Sequence, residues 1–347
     1  MEISGLVNEV DAILEEYRAL VDPEMARVLD AQGRVGTLYD MMRFHLGWTD
    51  ERFKAQAKGR GKRFRPAMCL LTCEALGGNR EKALPAAAAI ELVHNFSLIH
   101  DDIEDRDRVR RGRPTVWALW GSAQGINVGD GMHTLANVAA LGLRSRGVHD
   151  NAVISVLDVL NGAVLELCEG QYLDLMNEPR KDVTVDEYLN VISRKTAALI
   201  ECATHCGAIL ATADAETQVK FARFGRMVGL AFQIRDDVLG VISPEKLGKK
   251  GASDILRRKR NLPYLMALDH SPKARRLLAI YRQRHLTKSD EKEVLAIFGE
   301  AEVYSHCREV AQKYEQEAFK VLEEAPLKNE AAEKLLTLSR FLVDRER

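Results

Sequence analysis

Pro85-Ala86-Ala87-Ala88-Ala89-Ile90-Glu91-Leu92-Val93-His94-Asn95-Phe96-Ser97-Leu98-Ile99-His100-Asp101-Asp102-Ile103-Glu104-Asp105-Arg106 is the stretch whose reading decides the fold. Its apolar residues recur at helical spacing, and His94, Asp101 and Asp105 fall on one stripe of that helix. Pro85, Glu91 and His94 interrupt the apolar run from Ala83 to Ile99, so it is too short and too polar to span a membrane. A core helix that ends in charge is the reading that remains. Two adjacent carboxylates repel each other, so Asp101-Asp102 implies a bound cation. A second apolar run closes the same way at Phe232-Gln233-Ile234-Arg235-Asp236-Asp237, with Gln233, Asp236 and Asp237 toward one side. The two pairs lie too far apart for a local motif but suit facing each other across a cavity.

Working outward, strand signals are scarce. Helical periodicity runs through Val7 to Leu20, Pro66 to Leu76, Asn151 to Leu175, Val185 to Thr212, Glu216 to Val241, Leu262 to Leu268 and Glu330 to Val343. Pro66, Pro85 and Pro263 fall near helix starts, where proline is tolerated. Thr184 with Glu187 forms a capping box ahead of the helix carrying Lys195. Gly77-Gly78 marks a helix stop. With no Ser/Gly linker and no solenoid-type repeat, the expectation is one all-α domain over residues 1–347. Its motif-bearing core covers about 55–270, followed by C-terminal helices over about 271–347.

A hydrophobic content of 46% is enough for a substantial core. The net charge of −1 and 6% aromatic content disfavour a nucleic-acid partner. Charge is clustered all the same, at Lys58 to Arg65, Arg106 to Arg113 and Lys246 to Arg260. Alternating acidic and basic patches suit a metal plus an anionic ligand. Cys69, Cys73, Cys168, Cys202, Cys206 and Cys307 read as small buried hydrophobes in a reducing cytosol. Met1-Glu2-Ile3-Ser4 carries no basic stretch leading into an apolar one, so no signal peptide and a cytoplasmic location are expected. The glycine-rich, basic insert Ser243-Pro244-Glu245-Lys246-Leu247-Gly248-Lys249-Lys250-Gly251-Ala252-Ser253 reads as a flap that closes its lysines over an anion.

Magnesium takes one or two carboxylates and leaves its other positions to water and phosphate oxygens. Two sparse carboxylate clusters amid basic residues therefore point to a site completed by a diphosphate. Calcium-loop spacing is absent. A glycosidase pair does not explain the doubling of each aspartate, nor the surrounding bases.

Gly61-Lys62-Arg63-Phe64-Arg65-Pro66, then Leu98 to Asp105 running on to Arg110-Arg111-Gly112-Arg113-Pro114-Thr115, resembles the trans-prenyl diphosphate synthases. The likeness continues through Asn127-Val128-Gly129-Asp130, Gly170-Gln171-Tyr172-Leu173-Asp174-Leu175, Lys195-Thr196 and Phe232 to Asp237. It implies an all-helical homodimer of the isoprenoid synthase fold with a deep cavity between the aspartate-rich helices. By that resemblance Asp101, Asp105 and Asp236 bind up to three magnesium ions with the allylic diphosphate, supported by Asp102 and Asp237. Lys62, Arg65, His94 and Arg111 hold isopentenyl diphosphate. Arg110, Lys195, Lys259 and one of Lys249 and Lys250 hold the allylic diphosphate. Thr196, Gln233 and the Lys195 carbonyl steady the allylic cation, and stable membrane insertion is not expected.

Gly240 stands where many relatives carry an acidic residue, although some members, geranylgeranyl-type synthases among them, resemble this chain in carrying Asp-Asp-x-Leu-Gly there; Trp117 and Gly131-Met132-His133 also depart from the usual pattern. Phe96, five residues before Asp101 and about 7.5 Å deeper along a helix, resembles the residue that caps chain growth in archaeal-type geranylgeranyl synthases. Ser97 beside it is small. The expected product is geranylgeranyl diphosphate, with farnesyl or longer products as neighbours. A non-catalytic partner subunit would have lost aspartates or basic motifs. A terpene cyclase would not need Lys62, Arg65 and the Arg110-Arg111 pair for a second diphosphate.

Overall fold

The computed structural model describes residues 3–32, 35–56, 59–180, 182–242, 254–325 and 327–343. Helices make up most of it, as the periodicity predicts; the strands among the described residues form one hairpin of two residues per strand. The chain falls into two compact units, one of Met1–Val164, Cys202–Ala222 and Pro326–Leu338, the other of Leu165–Glu201, Arg223–Ala325 and Ser339–Arg347.

In the first unit, α1 (Ile3–Gln32), α2 (Gly36–His45), α3 (Phe64–Ala75), α4 (Arg80–Glu104), α5 (Val116–Trp120) and α6 (Ser122–Leu141) build the core, which α4 and α6 share most extensively. Leu70, Leu71, Ile90, Leu92, Val128 and Ala136 are fully buried. Burying side chains of this size is worth roughly 1.5–3 kcal/mol each for the larger ones. α3 ends as expected: Gly77 has φ +81°, and the Gly78 N–H bonds the Cys73 carbonyl at 2.8 Å. A side chain at Gly78 would strike Ala211.

α4 starts earlier than the apolar run implies. Asn79 caps it by accepting from the Glu81 N–H at 2.9 Å, which leaves Pro85 inside the helix, not near its start. α6 escapes periodicity because it contains Gly125, Gly129 and Gly131. Each is there for close approach: a Cβ at Gly129 would lie 2.2 Å from His100 Nε2, and one at Gly131 would lie 2.6 Å from Met42.

α7 (Asp150–Asn177) is the one described helix long and apolar enough to cross a membrane, and only 33% of its most apolar window is buried. α8 (Val185–Ile192) begins with the expected capping box of Thr184 and Glu187. It runs through a π-helical turn, Ser193–Ala197, into α9 (Ala198–Ala211). The second unit also contains most of α10 (Ala215–Ile242) and all of α11 (Leu262–His270), α12 (Ala274–Tyr281), α13 (Lys288–Glu300) and α14 (Val303–Glu324). Its core gathers Ile192, Leu230, Ile234, Leu265, Ile280 and Phe298. α15 (Glu330–Val343) has the bounds its periodicity predicts. Five of the six cysteines are buried, but Cys168 is exposed, against expectation.

Candidate active site

In the first unit, Asp101 and Asp105 close α4. The Asp105 N–H still bonds the Asp101 carbonyl at 2.8 Å, so the i, i+4 relation and the shared face hold. Asp101 is half-buried and Asp105 exposed. Asp102 turns the other way. It is buried and accepts from Arg110 Nε at 2.6 Å, while its Oδ2 has no partner among the described residues. Burial lifts its carboxyl to about 6 against the pull of Arg110. Its visible work is to hold Arg110.

The basic residues are delivered by two local devices. Arg63 caps α3 from a left-handed conformation, with φ 57°. Its guanidinium is fully buried between Asp22 at 2.9 Å and Glu91 at 2.8 Å. That anchor lets Lys62 stay exposed while Arg65 is buried. Arg65 Nη1 lies 3.4 Å from His94 Nε2, and burial brings the guanidinium down to about 10.

The second device is the hairpin Val109–Arg110 with Arg113–Pro114. Arg111 and Gly112 turn it with positive φ at both positions, 52° and 73°, the geometry that matches strand twist. Arg113 ties it down by donating to the carbonyls of Phe44 and Thr49 at 3.1 and 2.7 Å. The Trp117 indole N–H closes the loop on the Asp107 carbonyl at 2.8 Å, which accounts for the departure at that position.

These devices converge. A Cβ at Gly61 would lie 2.9 Å from Arg63 Nη1 and 3.1 Å from Arg111 Nη1, so glycine is what lets the guanidinia pass. Burial, then the charges of Arg65, Arg111 and Arg110, hold the His94 imidazole well below its ordinary range. His45, at the end of α2, is held down likewise by burial and by Arg111, Arg110, Arg63 and Arg113. Its Nε2 is buried without a partner among the described residues, and it lines a small cavity with Gly59, Asp102, Arg110 and Arg111. Sequence reasoning missed His45 and Arg113. Arg113 lay within a quoted motif, but His45 follows Phe44 with no motif around it.

Deeper in this unit, Phe96 is buried with its ring 4.9 Å from that of His133 and 5.8 Å from that of His100. The His133 departure on α6 therefore belongs to the same wall. Ser97 is buried and its hydroxyl donates to the His94 carbonyl at 2.9 Å.

In the second unit, Lys195 and Thr196 sit in the π-helical turn. Lys195 Nζ pairs with Asp174 at 2.7 Å. The Thr196 hydroxyl donates to Gln233 Oε1 at 2.9 Å, and Gln233 Nε2 donates to Asp237 Oδ1 at 2.8 Å. Tyr188 donates to the other Asp237 oxygen. Burial lifts the Asp237 carboxyl to about 6 despite those bonds, with Asp236 and Asp254 adding repulsion. Lys259 is exposed, its N–H bonded to the Asp254 carbonyl at 2.9 Å. Lys249 and Lys250, with the rest of the flap, lie outside the described residues.

Asp101, Asp105 and Asp236 offer hard oxygen donors, the type magnesium takes. Among the described residues no three His, Cys, Asp or Glu side chains converge to hold an ion alone. Taken unit by unit, so few carboxylates fit only an ion that would draw its remaining positions from water or an anionic ligand.

Residues 47–298 match the sequence pattern of the polyprenyl synthetase family. The chain belongs to that family. It is 39% identical over 289 residues to the geranylgeranyl diphosphate synthase of Mycobacterium tuberculosis, spanning 82% of this chain and 81% of that one. Identity is 37% over 349 residues to the geranylgeranyl diphosphate synthase of Methanosarcina mazei, spanning 99% and 97%. The crystal structure of a polyprenyl synthetase from Streptomyces coelicolor A3(2) superposes with a TM-score of 0.88 at 33% identity, covering 96% of this chain and 99% of that one. As a polyprenyl synthetase, the chain is a prenyltransferase with the isoprenoid synthase fold.

Proposed function

We propose that the protein joins isopentenyl diphosphate head to tail to an allylic diphosphate and makes geranylgeranyl diphosphate. Arg65 set 3.4 Å from His94, and Arg110 and Arg111 lining one cavity with His45, carry this reading. Such a concentration of guanidinia is costly without an anion and well suited to a diphosphate, whose oxygens accept arginine forks bidentately. Lys62, Arg65, His94 and Arg111 hold isopentenyl diphosphate there. Arg110, Lys195 and Lys259, with a flap lysine (Lys249 or Lys250), hold the allylic diphosphate.

Asp101 and Asp105, and Asp236, supply the carboxylates for magnesium, with Asp102 and Asp237 in support. The bound ion supplies charge neutralisation for the departing diphosphate. The chain's own groups do the rest. The cationic side chains orient both diphosphates. The Thr196 hydroxyl, the Gln233 amide and the Lys195 carbonyl place electron-rich dipoles beside the cation left on the allylic carbon. The double bond of isopentenyl diphosphate then attacks that carbon, and the released diphosphate takes the surplus proton, so no protein base is required.

Support for the product length comes from the relatives named geranylgeranyl diphosphate synthases and from the buried ring of Phe96. A homodimer is supported by apolar side chains left exposed on two helices, Ile126, Val138 and Leu141 on α6 and Leu165, Tyr172 and Met176 on α7. Six cysteines, none of them in a disulfide, support a reducing, cytoplasmic setting. The decisive experiment supplies magnesium, isopentenyl diphosphate and, in turn, dimethylallyl, geranyl and farnesyl diphosphate, and sizes the products by chromatography. Accumulation of the twenty-carbon product from each primer is expected. Condensation that stops at fifteen carbons or runs past twenty would overturn the length assignment, and no condensation with any primer would favour a non-catalytic partner subunit.

A further inference from the structure

The helix that carries Lys195 and Thr196 is not regular. Between α8 and α9 it makes one π-helical turn, Ser193–Ala197, and such turns need outside support because the wider turn breaks the regular carbonyl ladder. Support reaches this turn from two neighbouring helices. Arg226 of α10 donates from Nη1 to the Ser193 carbonyl at 3.0 Å and to Ser193 Oγ at 3.2 Å. The same guanidinium forks onto Glu166 of α7 at 2.9 and 3.2 Å and bonds Glu201 of α9 through Nε. One side chain thus joins α7, α9 and the turn. Its three acceptor groups leave it no slack.

Two glycines close the turn from either side. A Cβ at Gly170 of α7 would lie 2.4 Å from the Lys195 backbone nitrogen, and one at Gly229 of α10 would lie 2.6 Å from the Ala197 Cα. Arg226, Gly229, Gln233 and Asp237 follow one another at helical spacing, so a single stripe of α10 faces the turn. Its clamp is Arg226, its close contact is Gly229, and its chemical contact is the Gln233 oxygen that accepts from Thr196.

We propose that Arg226 is a positioning residue for prenyl transfer: with Glu166 and Glu201 it fixes the π-helical turn in the one register that presents Lys195 and Thr196 to the allylic substrate. This rests on the assignment of Lys195 and Thr196 to that substrate. Arg226 touches no substrate itself. Its effect must therefore appear in turnover and allylic affinity and leave isopentenyl diphosphate affinity alone.

The test compares the full-length wild-type chain with Arg226→Lys, which keeps the charge and loses the fork, and Gly229→Ala, which pushes on the turn with no change of charge. kcat and both KM values are measured with magnesium present, and folding is followed by circular dichroism melting. Both variants should lose about 100-fold in kcat, the scale of a roughly 1 Å misplacement, and raise the allylic KM. The KM for isopentenyl diphosphate should stay within about twofold, since uniform binding there is untouched. Should Arg226→Lys fail to fold, Gly229→Ala decides alone. A wild-type chain that does not condense the substrates overturns the underlying assignment. A wild-type chain that does, with folded variants that keep kcat or raise both KM values equally, overturns the clamp.

Discussion

Replacing Phe96 with Ala separates two properties that one ring combines. The ring is 6% exposed and packs on His133 and His100, so its loss opens a cavity lined by both imidazoles. Buried Phe→Ala changes cost about 3–5 kcal/mol. At about 2.1 cal/mol/K per residue, 347 residues unfolding together should melt about 4–7 °C lower. Truncation removes about six carbons, close to the roughly five that one condensation adds, so the space freed takes one further unit. Because the His133 ring stands 4.9 Å behind, Phe96→Ala should shift the product by one unit, and the pair Phe96→Ala with His133→Ala by more. The assay sizes dephosphorylated products from farnesyl diphosphate by reversed-phase chromatography, beside a melting curve. A variant that melts lower as calculated yet keeps the wild-type product distribution would refute the plug, because the cavity would be present and unused.

Three further outcomes follow from the site. Asp101→Ala should lose at least about 10³-fold in turnover, the upper end for removing one preorganised electrostatic group, with its helical circular dichroism intact; retained activity would sink the metal assignment. Arg63→Met should cost about 3–5 kcal/mol in urea denaturation, since it strands Asp22 and Glu91 in the core, and a neutral result would show that those carboxylates find other partners. His45 and His94 are held below their ordinary range in the fold, while the unfolded chain protonates both below about pH 6.5. Stability should therefore be complete above that pH and decline as pH falls, by up to about 1.4 kcal/mol per pH unit for each ring. Denaturation at pH 7.5 and 5.5 checks this, and stability that rises on acidification would contradict it.

What was legible in the sequence was local. The Thr184 capping box, the Gly77-Gly78 stop and the Asp101/Asp105 stripe depend on residues within a turn or so of one another, and all three appear as read. Longer-range features hid behind local ones. The start of α4 was obscured because Pro85 mimics a first-turn proline while Asn79 does the capping. α6 was obscured because its glycines, poor helix formers, are kept for His100 and Met42 to approach. The hairpin that aims Arg111 has two residues per strand, below any periodicity window. Arg226 reads as one more surface arginine until Glu166, Glu201 and Ser193 surround it.

The aspartate pairs therefore divide their work in a way their matching sequences conceal. In each, the first carboxylate is the one proposed to meet a cation. The second turns into the protein to hold a functional neighbour: Asp102 grips Arg110, and Asp237 takes Gln233 and Tyr188. Burial raises both second carboxyls to about 6, which is the cost of using an ionisable group as a brace. The repulsion within each pair is relieved at the second carboxylate by its hydrogen-bonded neighbours, and a metal bound as proposed would relieve it at the first. On the proposed roles, doubling the aspartate would couple the metal's seat to the neighbouring arginine or glutamine, and a single aspartate at either place would have to give up one of those contacts.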